Sequence, residues 1–291
     1  MPPLGQCCAT GSLHTGTPTG TVEKVHGLDC YVAEAPGGQP KGVVVIIPDA
    51  FGWELPNNRI LADCYAKEGN VKVYLPEFQG GWAPPMDVMI SFKALSATGF
   101  WNQLYKIGHL AYCIRYLAPF LIANRAAVSE PRVFGFLKAL KSNEAKDLSI
   151  ATAGFCWGGP FVTRLCWNGA ENKTDEGKQV TVCGFVAHPS NLTYPGDIEK
   201  VVLPYAVAAS EHDQMMSPAQ AKQTEEILKK KTEESKGKGV EHEFVMYHGA
   251  HHGFAVRADE DDKEEAERGK RAEAQAVAWF NRWFSNKSLN V

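Results

Sequence analysis

One segment constrains this chain more than any other: Leu148-Ser149-Ile150-Ala151-Thr152-Ala153 followed by Gly154-Phe155-Cys156-Trp157-Gly158-Gly159. A strand-like run feeds straight into a glycine-framed turn with a cysteine at its centre. A turn that tight, between a strand and a helix, lifts its central side chain above the sheet and needs nearly naked backbone two residues to either side. Gly154 and Gly158 meet that need. A thiol in the first turn of a helix is also chemically primed, because unpaired N–H groups and the helix dipole favour thiolate over thiol. The competing reading of these residues alone is a buried, inert cysteine in a Gly-rich turn.

An elbow of this kind needs a sheet beneath it, and from Gly27 onward strand-like and helix-like segments alternate. That pattern predicts a mostly parallel sheet covered by helices. Val43–Ile47 is β-branched throughout and reads as a buried central strand. Residues 57–67 read as helix, 71–75 as strand, and the Gly/Pro/Trp-rich stretch Gly80-Gly81-Trp82-Ala83-Pro84-Pro85 as the start of an irregular binding region that runs to about Phe100. Helices are expected over 104–124, interrupted at Pro119, over 132–141 and over 157–167, with a polar loop at 168–178. Strands over 180–187, 201–209 and 240–247 alternate with helices over 219–235 and 263–284. The domain expectation is an arm over residues 1–20 and a single domain over 21–291.

The bulk numbers narrow the function. The chain has 291 residues with 30 basic and 33 acidic side chains, a net charge of −3. No long basic stripe supports nucleic-acid binding, so a small-molecule substrate is expected. The eight cysteines are unevenly scattered and form neither a metal-ligand pattern nor a disulfide framework, which fits a reducing compartment. Residues 1–20 lack the apolar stretch of a secretory signal, and the longest apolar near-miss, 117–128, contains Pro119, Asn124 and Arg125. The expectation is a cytoplasmic protein without membrane association, with a homodimer as one assembly.

Reacting groups of an open α/β enzyme gather at the carboxyl ends of its strands. Three candidates fall at such ends: Cys156, Asp213 in Ser210-Glu211-His212-Asp213, and a histidine of the pair His251-His252. The order nucleophile, acid, histidine is that of the α/β-hydrolase triad. In that arrangement the histidine exchanges the thiol proton and the acid fixes the imidazole tautomer. The N–H of Trp157 and that of Ala50, in the loop after the first core strand, are the expected oxyanion donors. Asp49 lies at the same strand end, placed either to accept a hydrogen bond from the resting thiol or to cap a turn. His188 either lines the pocket or is a hydrogen-bonded histidine before Pro189. Arg257 either neutralises a substrate carboxylate or is surface charge. Trp53, Trp82 and Trp157 either build an aromatic pocket or belong to the core.

At these residues the chain resembles the dienelactone hydrolase, or carboxymethylenebutenolidase, family, over about 22–284. The carriers are Ile47-Pro48-Asp49-Ala50-Phe51-Gly52-Trp53-Glu54-Leu55-Pro56-Asn57, the cysteine elbow, the acid segment and His252-Gly253-Phe254-Ala255-Val256-Arg257. The resemblance implies an α/β-hydrolase fold and a Cys-His-Asp hydrolase that opens lactones without metal or organic cofactor. It selects His252 over His251, because the family histidine directly precedes a small residue and phenylalanine. It also implies that an acidic residue holds the resting thiol, here Asp49 where bacterial members carry glutamate, and that arginines bind the substrate carboxylate. Arg257 resembles one of them, and residues 78–103 offer no counterpart of the other. The arm and the 117–146 region are similar to those of fungal members. The resulting expectation is hydrolysis of a small lactone, ester or thioester through an acyl-cysteine. The alternatives are a non-hydrolytic isomerisation or cyclisation in a biosynthetic pathway and a non-catalytic protein with a reactive thiol.

Overall fold

Runs of β-branched residues separated by amphipathic stretches set the element order. The computed structural model describes residues 12–96, 100–235 and 240–285. Its strands are β1 (Thr21–Val25), β2 (Leu28–Ala33), β3 (Val43–Ile47), β4 (Lys72–Pro76), β5 (Ile150–Phe155), β6 (Cys183–Ala187), β7 (Tyr205–His212) and β8 (His242–His251). The helices are α1 (Pro56–Gly69), α2 (Asp87–Ser96), α3 (Phe100–Ala123), α4 (Ala126–Ser142), α5 (Gly159–Leu165), α6 (Gly196–Glu199), α7 (Pro218–Glu234), α8 (Phe254–Arg257) and α9 (Lys263–Phe284).

The strands form one sheet in the order β1-β2-β4-β3-β5-β6-β7-β8. Pairing is antiparallel at β1–β2 and β2–β4 and parallel across the rest. This is the mostly parallel, helix-flanked sheet of an α/β hydrolase. Alternation along β3 sends Val43, Val45 and Ile47 to one face, into the core that also holds Leu137 of α4, Val162 of α5 and, further along the sheet, Leu228 of α7. Val44 and Ile46 go to the other face, against Tyr65 of α1 and Trp279 and Trp283 of α9. Both faces are covered, which is why β3 is buried at every position.

The antiparallel β1–β2 hairpin at the sheet edge is an element the sequence reading does not address. Three expectations are corrected. Residues expected to be irregular up to Phe100 contain helix α2, whose Asp87 lies in the first turn, where a carboxylate suits the helix dipole; residues 97–99 lie outside the described residues. Pro119 does not interrupt α3 but sits within it near its end. Strand β7 starts at Tyr205 instead of 201, because the N–H groups of Val202 and Leu203 are drawn to the Cys166 carbonyl (2.9 and 3.1 Å) and Pro204 cannot donate.

The described part of the arm is pinned beside the candidate histidine. Ser12 N–H donates to the Arg257 carbonyl (3.1 Å), and the buried Asn57 amide donates to the carbonyls of Ser12 and Val256 (both 2.9 Å). The arm, α1 and α8 are thereby tied together. Cys7 and Cys8 lie outside the described residues. Among the described residues no helix is long and apolar enough to cross a membrane.

Candidate active site

The elbow forms as its glycines dictate. Cys156 follows β5 with a φ of 48°, a left-handed conformation uncommon for a side chain with a Cβ, and a single 3-10 turn leads into α5. A Cβ on Gly158 would run into the Ile47 carbonyl oxygen, and one on Gly154 would lie 2.7 Å from the Gly158 carbonyl oxygen. The turn is therefore pressed against the end of β3, and only glycine fits at these two positions. Cys156 is partly buried above the sheet edge.

The carboxyl ends of five adjacent parallel strands converge on this thiol. Strand β3 delivers Asp49 and Ala50, β5 delivers Cys156, β6 delivers His188 and Ser190, β7 delivers Asp213 and β8 delivers His252. His252 Nδ1 lies 3.0 and 2.9 Å from the two carboxylate oxygens of Asp213, and both side chains are almost wholly buried. Asp213 is itself oriented by the Ser210 hydroxyl (2.5 Å) and the Met215 N–H (2.8 Å). On its other side His252 is hydrogen-bonded to Cys156. His251 turns away and packs its ring against His212, with centroids 5.1 Å apart.

These contacts set the charges. Burial pushes the Cys156 thiol up, but the adjacent His252 charge and hydrogen bond outweigh it, and the thiol titrates below its ordinary value. Burial disfavours the charged His252 ring, yet Cys156 and Asp213 on either side raise it well above the usual histidine range. For Asp213, burial is likewise overcome, here by the His252 charge and hydrogen bond and by Ser210 and Met215, and its carboxyl is brought down to about 2. The three groups together favour a thiolate, an imidazolium and a carboxylate in a row. Buried His188 packs edge-on to His252 at 5.0 Å, and burial followed by the His252 and Arg257 charges holds it neutral.

Several predicted site residues are placed differently. Arg257 is not open to a substrate carboxylate: it is buried and ion-paired with Asp49, which is also wholly buried. Asp49 accepts in addition from Asn58 Nδ2 and the Phe51 N–H, each at 3.2 Å. Its carboxylate is engaged away from the thiol, although its charge still acts on the sulfur. Of the two readings of Trp53, Trp82 and Trp157, a shared aromatic pocket is not formed, and the core reading holds for Trp157 and Trp53. Trp157 packs with Phe120 and Phe161 in the core of one sheet face, Trp53 packs toward the other face with Arg59 over its ring, and Trp82 is 53% exposed. Ala50 lies in a turn fixed by Gly52 N–H and the Gln79 amide, both donating to the Asp49 carbonyl (3.1 and 2.7 Å).

Sequence reasoning missed Ser190, whose hydroxyl lies 3.2 Å from the Cys156 sulfur, and Gln79 and Asn58, which fix the Asp49 turn. The position of Ser190 just past a strand end was the available signal. Removing the guanidinium from the buried pair leaves Asp49 without its counter-charge. Arg257→Met is therefore expected to lower stability by about 3–5 kcal/mol, with Asp49→Asn added to it recovering much of the loss, as read by urea unfolding.

Fold and site define an α/β hydrolase. The sequence pattern of the Dienelactone hydrolase family matches residues 28–284, and the chain belongs to that family of lactone and ester hydrolases. It is 27% identical to "Hydrolase pyvD" of Aspergillus violaceofuscus, over 97% of each chain. It is 26% identical to "Dienlactone hydrolase 2" of Gibberella moniliformis, over 98% of this chain and 97% of that one. The crystal structure of a dienelactone hydrolase from Anabaena variabilis shares the fold with a TM-score of 0.54 and 12% identity, covering 93% of this chain and 99% of its own.

Proposed function

We propose that the chain hydrolyses a small lactone, ester or thioester through an acyl-Cys156 intermediate. The observation that supports this most directly is the unbroken hydrogen-bonded series Asp213, His252, Cys156 at three strand ends. In the first step the Cys156 thiolate attacks the carbonyl carbon, and the carbonyl electron pair moves onto oxygen, facing the N–H groups of Trp157 and Ala50. Collapse expels the alkoxide or thiolate leaving group, which takes the proton of the His252 imidazolium. The neutral ring then accepts a proton from water as the water oxygen attacks the thioester. A second collapse releases the carboxylic acid and restores thiolate and imidazolium. Asp213 keeps Nδ1 as the donor toward itself, so Nε2 is the nitrogen that exchanges the proton. In a lactone the leaving alkoxide stays tethered to the acyl group, so one product results.

No step calls for a metal or organic cofactor. The substrate is a small molecule, the compartment is the cytoplasm and a homodimer is the assembly to test first. Turnover of a lactone in heavy-oxygen water tests the reaction class. Hydrolysis gives a product heavier by one water, with one labelled oxygen in the carboxylate. A product of unchanged mass and no label would instead identify an isomerisation or cyclisation.

A further inference from the structure

We infer that Gln79 is a positioning residue for the oxyanion site: its buried side-chain amide takes the Asp49 carbonyl and so aims the N–H of the same peptide unit, that of Ala50, toward the elbow. The inference rests on the hydrolase reading above and deepens it. It names the group that fixes one of the two donors before any substrate arrives.

A trans peptide unit is planar and carries its carbonyl and its N–H on opposite edges. Whatever holds the Asp49 carbonyl therefore also sets the direction of the Ala50 N–H. The sheet order supplies the two sides: β3 runs between β4 and β5, so Asp49 and Ala50, just past its end, have the exit of β4 on one flank and the cysteine elbow on the other. Gln79 stands on the first flank, three residues past the end of β4, and its Nε2 donates to the Asp49 carbonyl at 2.7 Å. The Ala50 N–H is thereby directed to the second. The elbow is close there, since a Cβ on Gly158 would meet the carbonyl groups of Ile47 and Pro48. Among the described residues no group accepts from the Ala50 N–H.

The Gln79 amide is held for this bond. The residue is wholly buried, its own N–H donates to the Glu77 carboxylate at 3.0 Å, and a Cβ on Gly52 would lie 2.5 Å from its Oε1, so glycine there leaves the amide its place. Among the described residues nothing donates to that Oε1, so the donor is what the position uses. The other donor to the Asp49 carbonyl, the Gly52 N–H, is longer at 3.1 Å and belongs to the same short turn, so it moves with the peptide unit it would have to restrain. Gln79 ties that unit to a different strand. An oxyanion donor acts only when it is fixed at about 2.7–3.1 Å from the oxygen before charge develops, and a misplacement of about 1 Å can cost about a hundredfold in rate.

Two reactions of the same sulfur test this. Acylation of Cys156 by an activated aryl ester puts negative charge on a carbonyl oxygen. Methyl methanethiosulfonate does not: the Cys156 sulfur attacks its sulfenyl sulfur, a mixed disulfide forms, and methanesulfinate leaves with the electron pair. Gln79→Met keeps the length of the side chain and loses the donor. Its acylation rate, read as adduct mass on the Cys156 peptide after acid quench, is expected to fall by about ten- to a hundredfold, with the thiolation rate on the same peptide unchanged.

Equal acylation rates in Gln79→Met and the wild type would overturn the inference. So would a slowing of both reactions by the same factor, which is what a merely structural side chain would give. Should Gln79→Met fail to fold, Gln79→Leu is read in the same way. The wild type separates the two readings: a wild type that forms no acyl adduct removes the hydrolase reading and this inference with it, whereas a wild type that acylates no faster than the variant removes this inference alone.

Discussion

Cys156→Ala is expected to lower turnover of an activated aryl ester by about 10⁴- to 10⁶-fold, the range seen when a nucleophile is removed from a triad. The physical reason is that no other group can form the acyl intermediate at this position. Ser190 stands beside the sulfur, its hydroxyl oxygen 3.2 Å away, but it occupies no elbow of its own. Stability should change little, because Cys156 is only partly buried at the sheet edge and alanine tolerates the same contacts with the elbow glycines. Turnover rates with a thermal melt on the same sample check both halves. A variant that melts normally and keeps more than about a hundredth of the wild-type rate would remove Cys156 from the mechanism.

Asp213→Asn is the second large effect, with an expected loss of about 10⁴-fold in kcat, by the tautomer argument that applies to any triad acid. The carboxylate lies 2.9 and 3.0 Å from His252 Nδ1 and accepts from Ser210 and Met215 as well. An amide there presents a donor where the ring needs an acceptor, so the imidazole can settle with its proton on the nitrogen facing Cys156. That arrangement neither supports a thiolate nor accepts a proton from water. The pH dependence follows in sign. The Asp213 carboxyl, held at about 2, contributes stability above the unfolded value of about 3.9, and that contribution is lost as pH falls through about 2. The acid limb of activity therefore belongs to Cys156, whose thiolate is lost as pH falls through its depressed value. The alkaline limb belongs to the raised His252, which loses its proton as pH rises. A pH–rate profile of the Asp213→Asn variant should show the acid limb moved upward as the imidazolium loses its partner.

The legibility of the fold from sequence tracks how local the cause is. Helix α9 was predicted over Lys263–Phe284 and forms over those residues, because its apolar stripe and its capping Asp262 lie in the same few turns. The elbow was readable for the same reason: Gly154 and Gly158 are needed by contacts two residues from Cys156 and by the adjacent strand end. Helix α2 was not readable, since the Gly/Pro/Trp-rich stretch before it signals a loop that reads on into the helix. The choice of His252 over His251 could not be made by spacing; the family resemblance favoured it, and the side of β8's end on which each ring emerges agrees. Least readable was the Asp49–Arg257 pair, whose members lie 208 positions apart. Each residue alone looked available for thiol or substrate. Only their burial together shows that they answer each other.

The central claim is that turnover passes through a covalent acyl group on Cys156. Acid-quenched mass spectrometry of the enzyme during turnover of an activated ester measures it directly. The expected result is a transient mass increase equal to the acyl group, confined to the peptide that carries Cys156 and absent in Cys156→Ala. Turnover by the wild type with the acyl group on any other residue, or with no adduct on Cys156 at any time from the first turnover to the steady state, would contradict it.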